Sequence, residues 1–168
     1  MSLLVQRRIK SAVDRLFYFD RDLFIYNSSE RSITHRFALY LGYMFYQWDI
    51  DVEYNRVGND PKKIDRINQS LKEDVNNTDD IFSGRMTIYP DIIVHKRGKP
   101  KNHLVIEVKK INSTNDVLDQ YDIKKLRNSI LEPTLNYKYG AFVKLGLINE
   151  EPIHEIKIFT KEDFSGSN

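Results

Sequence analysis

Cysteine is absent from the 168 residues. With it go disulfide frameworks, thiolate zinc sites, cysteine nucleophiles and iron–sulfur clusters. No run of about 18 apolar residues occurs, so no segment is expected to span a bilayer. The N-terminal MSLLVQRRIK sets its apolar residues ahead of its basic ones, and no small-residue cleavage site follows. That is not the layout of a secretory signal. A soluble, cytoplasmic protein without a membrane partner is the expectation. His35, His95, His103 and His154 form no HxH or HExxH spacing, and no Walker A loop, GxGxxG or Gly-flanked serine elbow is present. Zinc hydrolysis, serine hydrolysis and P-loop or dinucleotide binding therefore lose their usual signatures. A large excess of one charge is missing too. Lys+Arg is 26 against Asp+Glu 24, a formal net charge of +2, which argues against purely electrostatic nucleic-acid binding while leaving room for a local basic patch.

What is present suits one α/β domain. Hydrophobic residues make up 40%, enough for a single sizeable core. Val5, Ile9, Ala12, Val13 and Leu16 repeat at helical spacing, predicting a helix over 2–19. Asn27-Ser28-Ser29 offers capping chemistry for a second helix over 30–46, with Ile33, Phe37, Tyr40, Leu41, Met44 and Phe45 as its stripe. WDIDVEYNR, residues 48–56, alternates as a strand does. Asp60-Pro61 reads as the start of a short helix carrying Ile64, Ile67, Leu71 and Val75. A polar loop is expected over 76–84. RMTIYPDIIVHK (85–96) and NHLVIEVKK (102–110) are the clearest strands, joined by the turn-rich Arg97-Gly98-Lys99-Pro100-Lys101. Ser113 or Thr114 would cap a helix over 115–131. Strands over 139–147 and 153–160 complete the order ααβ(α)ββαββ. The expected domain covers 1–160, with 161–168 as a frayed tail ending Ser-Gly-Ser-Asn.

The central hairpin carries the chemistry. A turn centred near residue 100 makes partner numbers sum to about 200. Asp91 then faces Lys109 and Ile93 faces Glu107. Asp91, Glu107 and Lys109 share parity, so all three project from one face. The two carboxylates, diagonal neighbours roughly 7–8 Å apart at Cα, can both reach one hard cation. Ile92, Val94, Leu104, Ile106 and Val108 take the other face. Charged groups among such apolar flanks cost several kcal/mol each unless paired or metal-bound. Mg²⁺ (or Mn²⁺) suits oxygen ligands and phosphate chemistry, and Lys109 could orient the attacking water or stabilise developing charge.

Pro90-Asp91, a spacer over 92–106, then Glu107-Val108-Lys109, set on paired strands with a helix and two strands following, resembles the PD-(D/E)xK superfamily of restriction-endonuclease-like nucleases. The likeness covers residues 29–160. More narrowly, DIDVEYNR, YPDIIVHKRG and HLVIEVKK look like a bacterial group within it, a likeness that brings no substrate with it. The resemblance implies an αβββαβ core with a mixed sheet flanked by helices, an extra N-terminal helix and an insertion over 59–84. It implies Mg²⁺-dependent hydrolysis of DNA, with Asp91 and Glu107 as ligands, the Val108 carbonyl as an extra ligand and Lys109 as the catalytic lysine. It also implies an acidic residue from the preceding helix. Glu30 fits that place and Glu53 competes for it. Gln120 and Lys124 fit a polar position on the helix after the E-x-K strand. Lys110 departs from the pattern, making it E-x-K-K.

Lys110, Arg85 and Arg56 are candidate phosphate contacts. Lys96, Arg97, Lys99 and Lys101 on the turn, with Lys124, Lys125 and Arg127, are expected to flank the site. Two copies of the chain would supply two sites for the two strands of a duplex. The competing expectation is a non-catalytic nucleic-acid-binding or protein-interaction domain that keeps the fold. Tyr18, Phe19, Phe24 and Tyr26 are its partner surface or, equally, a core contact of the first helix.

Overall fold

The computed structural model describes residues 2–53, 56–57, 60–61, 63–64, 86–87, 89–111 and 116–165. Five strands form one open mixed sheet in the order β1-β6-β7-β8-β9. They are β1 (Asp49–Val52), β6 (Ile92–Lys96), β7 (Lys101–Lys110), β8 (Tyr139–Ile148) and β9 (Glu151–Phe159). All neighbours run antiparallel except β7 and β8. A parallel pair needs a crossover connection, and α4 (Asp116–Leu131) supplies it.

Helices cover both faces. The stripe of α1 (Ser2–Phe19) and that of α3 (Glu30–Met44) pack on Ile92, Val94, Leu104, Ile106 and Val108, with Ala141, Val143 and Leu145 of β8 beside them. The smaller core on the other face joins Ile93, Val105 and Phe142 to Leu126 and Ile130 of α4. Strand alternation explains the split, since successive residues of β7 serve opposite layers. Among the described residues, no helix is long and apolar enough to cross a membrane.

Several boundaries differ from expectation. A one-turn helix, α2 (Asp22–Ile25), follows α1. Ser29 Oγ caps α3 by accepting from the Ser32 N–H at 3.2 Å, but the helix ends at Met44 rather than Tyr46. β1 stops at Val52 because Glu53 turns into the left-handed region at φ 51°. The strand expected over 85–96 is divided. Met86–Thr87 forms β5, and β6 starts only after Pro90, which has no N–H to give a ladder. Asp60–Pro61 is not a helix start but the two-residue β3, paired with β2 (Arg56–Val57), while β4 (Lys63–Ile64) pairs with β5. A two-stranded ribbon tolerates proline because it has edges that need no donor. Ile67, Leu71, Val75, the loop over 76–84, Ser113 and Thr114 lie outside the described residues. The expected frayed tail begins instead with α5 (Lys161–Ser165), whose Phe164 ring stacks on Phe159 at 5.3 Å. Tyr18, Phe19 and Tyr26 are exposed, whereas Phe24 packs on Phe17 with ring centroids 4.7 Å apart.

Candidate active site

The hairpin register differs from the expected one by two. Ile92 pairs with Ile106 and Ile93 with Val105, so partner numbers sum to 198. Ile93 therefore faces Val105, not Glu107. A shift of two preserves parity, so Asp91, Glu107 and Lys109 still belong to one face, the α4 side. β6 begins one residue after Asp91 and leaves the Val108 N–H beyond the strand's end. The Asp91 carboxylate takes that place, Oδ2 accepting from the Val108 N–H at 2.7 Å. In an extended strand the N–H and C=O of one residue point to the same edge. The Val108 carbonyl is thus directed to the Asp91 side.

Glu107 is the most buried charge-bearing group here, at 1% exposure. Its Oε2 accepts from Lys125 Nζ of α4 at 2.6 Å. Burial, with the nearby Asp91 and Asp122 carboxylates, pushes Glu107 up to about 8 against the pull of Lys125. Burial disfavours the Lys125 ammonium, but Glu107 and Asp122 outweigh it and raise its pKa. Asp91 is also raised, by burial first, while the Val108 N–H, Lys125 and Lys109 act against the shift. The Glu30 carboxylate adds to the rise of Asp91. Lys109 reaches Asp122 Oδ2 at 3.0 Å and Glu30 Oε1 at 3.4 Å. Those two carboxylates overcome its desolvation and hold it above the ordinary lysine value. The result is an alternating cluster in which every cation touches at least one carboxylate. Lys144 of β8, opposite Lys109, pairs with Asp119 of α4 alongside.

Glu30 joins the cluster from the first turn of α3. Its Oε2 also accepts from the Lys110 N–H at 3.2 Å. Glu53 does not join. It is exposed and held by Arg31, with Nε 2.8 Å from Oε1. Lys110 Nζ turns away toward Asn27 Oδ1 and the Ser28 carbonyl. Gln120 and Lys124 are exposed on α4, and the charged residues of that helix that reach the strands include Asp119, Asp122 and Lys125. Their signal was available. The apolar stripe of Leu126 and Ile130, continued one turn back, lands on Asp122. Arg85 and the side chain of Arg56 lie outside the described residues.

The turn lysines do not flank this cluster. They lie at the other end of β7, about 20 Å away at the usual rise over six residues. His103 leaves the α4 side, where strict alternation from Glu107 would put it. A bulge at Val94/His95 leaves His103 without a partner in the ladder, and its ring stacks on Trp48 at 4.5 Å. Asn102 instead turns to the α4 side and donates to the Leu135 carbonyl at 2.6 Å. His95 is buried against Asp51 Oδ2 at 2.7 Å.

Among the described residues, no three His, Cys, Asp or Glu side chains are grouped closely enough to hold a metal ion. The donors on offer are the Asp91 and Glu107 carboxylates and the Val108 carbonyl. That set fits Mg²⁺, which commonly takes one or two carboxylates and keeps several waters. A dication would also relieve the burial penalty that raises both carboxyl groups. Since Lys125 engages Glu107 Oε2, a cation there either uses the other oxygen or displaces the ammonium. Compared with known protein families, curated proteins and solved structures, the chain matches none.

Proposed function

We propose that the protein is a metal-dependent nuclease of the PD-(D/E)xK type, hydrolysing phosphodiester bonds in DNA. The observation that carries this reading is the Asp91–Val108 hydrogen bond. It anchors one carboxylate at the end of β6, beside Glu107 and with Lys109 two residues along the same face. Mg²⁺ or Mn²⁺ bound by Asp91 and Glu107 would polarise the phosphodiester and lower the pKa of an attacking water. Lys109 is kept charged by Asp122 and Glu30, which suits it to hold a water or steady negative charge on phosphate. Glu30 fixes both the Lys109 ammonium and the Lys110 N–H, tying α3 to the end of β7. Gln120 and Lys124, exposed on α4, are available to a phosphate backbone.

A second reading is a non-catalytic nucleic-acid-binding domain that keeps a nuclease-like fold. Lys125 favours it, because it already supplies a cation to Glu107. The two readings part in one assay. Purified protein is incubated with linear and supercoiled duplex DNA, single-stranded DNA and RNA, with Mg²⁺, Mn²⁺ or EDTA. The nuclease reading expects cleavage that EDTA abolishes and that Asp91→Ala, Glu107→Ala and Lys109→Ala each remove. Identical behaviour of the wild type and Asp91→Ala on every substrate would leave the binding-domain reading.

A further inference from the structure

A second charged cluster lies at the opposite end of the sheet, on the α1/α3 side. Its floor is aromatic. Trp48 and His103 are stacked, 4.5 Å apart at 15°, and Phe45 and Tyr139 meet the imidazole edge-on. Four cations gather on this floor. Lys96 Nζ and Lys101 Nζ sit 5.9 and 5.3 Å from the Trp48 ring centroid, and the Arg8 guanidinium lies 5.3 Å from that of Phe45. Lys138 precedes Tyr139 and is close enough to act on His103. Among the described residues none of the four is paired with a carboxylate, in contrast to the cluster around Glu107.

The local field agrees. Burial lowers the His103 pKa to about 4, and every charge that adds to the shift is a cation: Lys138, Arg8 and Lys101. In a chain whose formal net charge is only +2, four such cations at one end are a segregated charge.

We infer that the Arg8, Lys96, Lys101 and Lys138 cluster on the Trp48–His103 floor is a binding site for the phosphodiester backbone of a nucleic acid, separate from the Asp91–Glu107 site. The choice of a nucleic acid among polyanions rests on the nuclease reading above. An anionic membrane is a poorer fit, because surface binding uses apolar side chains that insert. Here Phe45 is buried, and the Trp48 ring is engaged by His103 and two lysines. The aromatic floor restricts the lysine stems and so lowers the entropy lost when they meet phosphate.

The test is equilibrium binding of the full chain to a fluorescent DNA duplex of about twenty base pairs and to an RNA hairpin, in EDTA, across about 50–200 mM salt. The wild type is compared with the triple substitution Lys96→Gln, Lys101→Gln, Lys138→Gln and with Lys157→Gln, a lysine of β9 paired with Glu155 away from both sites. Three lost phosphate contacts flatten the plot of log affinity against log salt by about 2.7 on duplex DNA. Binding at the lowest salt weakens at least about tenfold, whereas Lys157→Gln keeps the wild-type slope. Circular dichroism checks that the triple variant is folded. An unchanged slope in the folded triple variant overturns the inference, as does binding to phosphatidylserine vesicles without binding to either nucleic acid. The two proposals fail separately. A triple variant that loses binding in a protein that never cleaves keeps this site and removes the nuclease reading. One that binds like the wild type in a protein that does cleave does the reverse.

Discussion

Lys125 Nζ stands 2.6 Å from Glu107 Oε2, joining the middle of α4 to the centre of β7. Both side chains are largely withdrawn from water, so an ionised Glu107 depends on Lys125 for its counter-charge. Asp122 shares Lys125 at 3.2 Å and passes the link on to Lys109 at 3.0 Å. The chain thus carries an internal cation at the place where the nuclease reading puts a metal.

Removing that ammonium leaves Glu107 buried without a counter-charge. Lys125→Met is expected to cost about 3 kcal/mol above pH about 8, where Glu107 is ionised. The deficit shrinks as pH falls, because a protonated Glu107 needs no cation. Combining Lys125→Met with Glu107→Gln restores most of the loss. Urea midpoints of the wild type, both single variants and the double variant at two pH values measure the coupling.

His103 gives a pH dependence of known sign. Burial and the surrounding cations lower it to about 4, so the unfolded chain binds its proton more tightly than the native one. Its contribution is complete above the ordinary histidine range near 6.5 and is lost as pH falls toward 4. Solvent screening of this half-buried ring reduces the effect to roughly 2 kcal/mol. His103→Phe keeps the stack on Trp48 and flattens stability over that window. Replacing Lys101 and Lys138 by Gln moves the histidine's NMR titration midpoint upward.

Close approach makes two glycines of β8 unequal. A Cβ at Gly146 would stand 2.9 Å from Cβ of Ile111, whose backbone nitrogen is only 3.5 Å away. A Cβ at Gly140 would meet Cδ1 of Ile130, also at 2.9 Å, but that is the movable end of a side chain. Gly146→Ala is therefore expected to cost about 2 kcal/mol or more, and Gly140→Ala distinctly less. Thermal unfolding of the two variants ranks them.

How far the sequence was legible follows from which forces act locally. The ends of α1 could be read from a clean apolar stripe, and the shared face of Asp91, Glu107 and Lys109 from strand parity. Register could not be read, because the turn and the bulge beside His95 set it rather than the alternation. The same bulge moved His103 to the other layer. Glu30 was visible as a first-turn acid, and its bonds to the Lys109 side chain and the Lys110 N–H depend on how α3 packs. On α4, choosing residues by polarity selected Gln120 and Lys124. The inward face is set by the stripe through Leu126 and Ile130, and it carries Asp122. The stripe thus marks Asp122 as inward, but its partners Lys109 and Lys125 are fixed only once the helix is packed on the strand.

The central claim is that Asp91 and Glu107 share one divalent cation. Calorimetric titration of metal-free protein with Mn²⁺, in parallel with Asp91→Ala and Glu107→Ala, tests it most directly. The expected result is one ion per chain for the wild type and loss of that binding in either variant, with both variants folded by circular dichroism. No Mn²⁺ uptake by the wild type, or uptake that both substitutions leave unchanged, would contradict it.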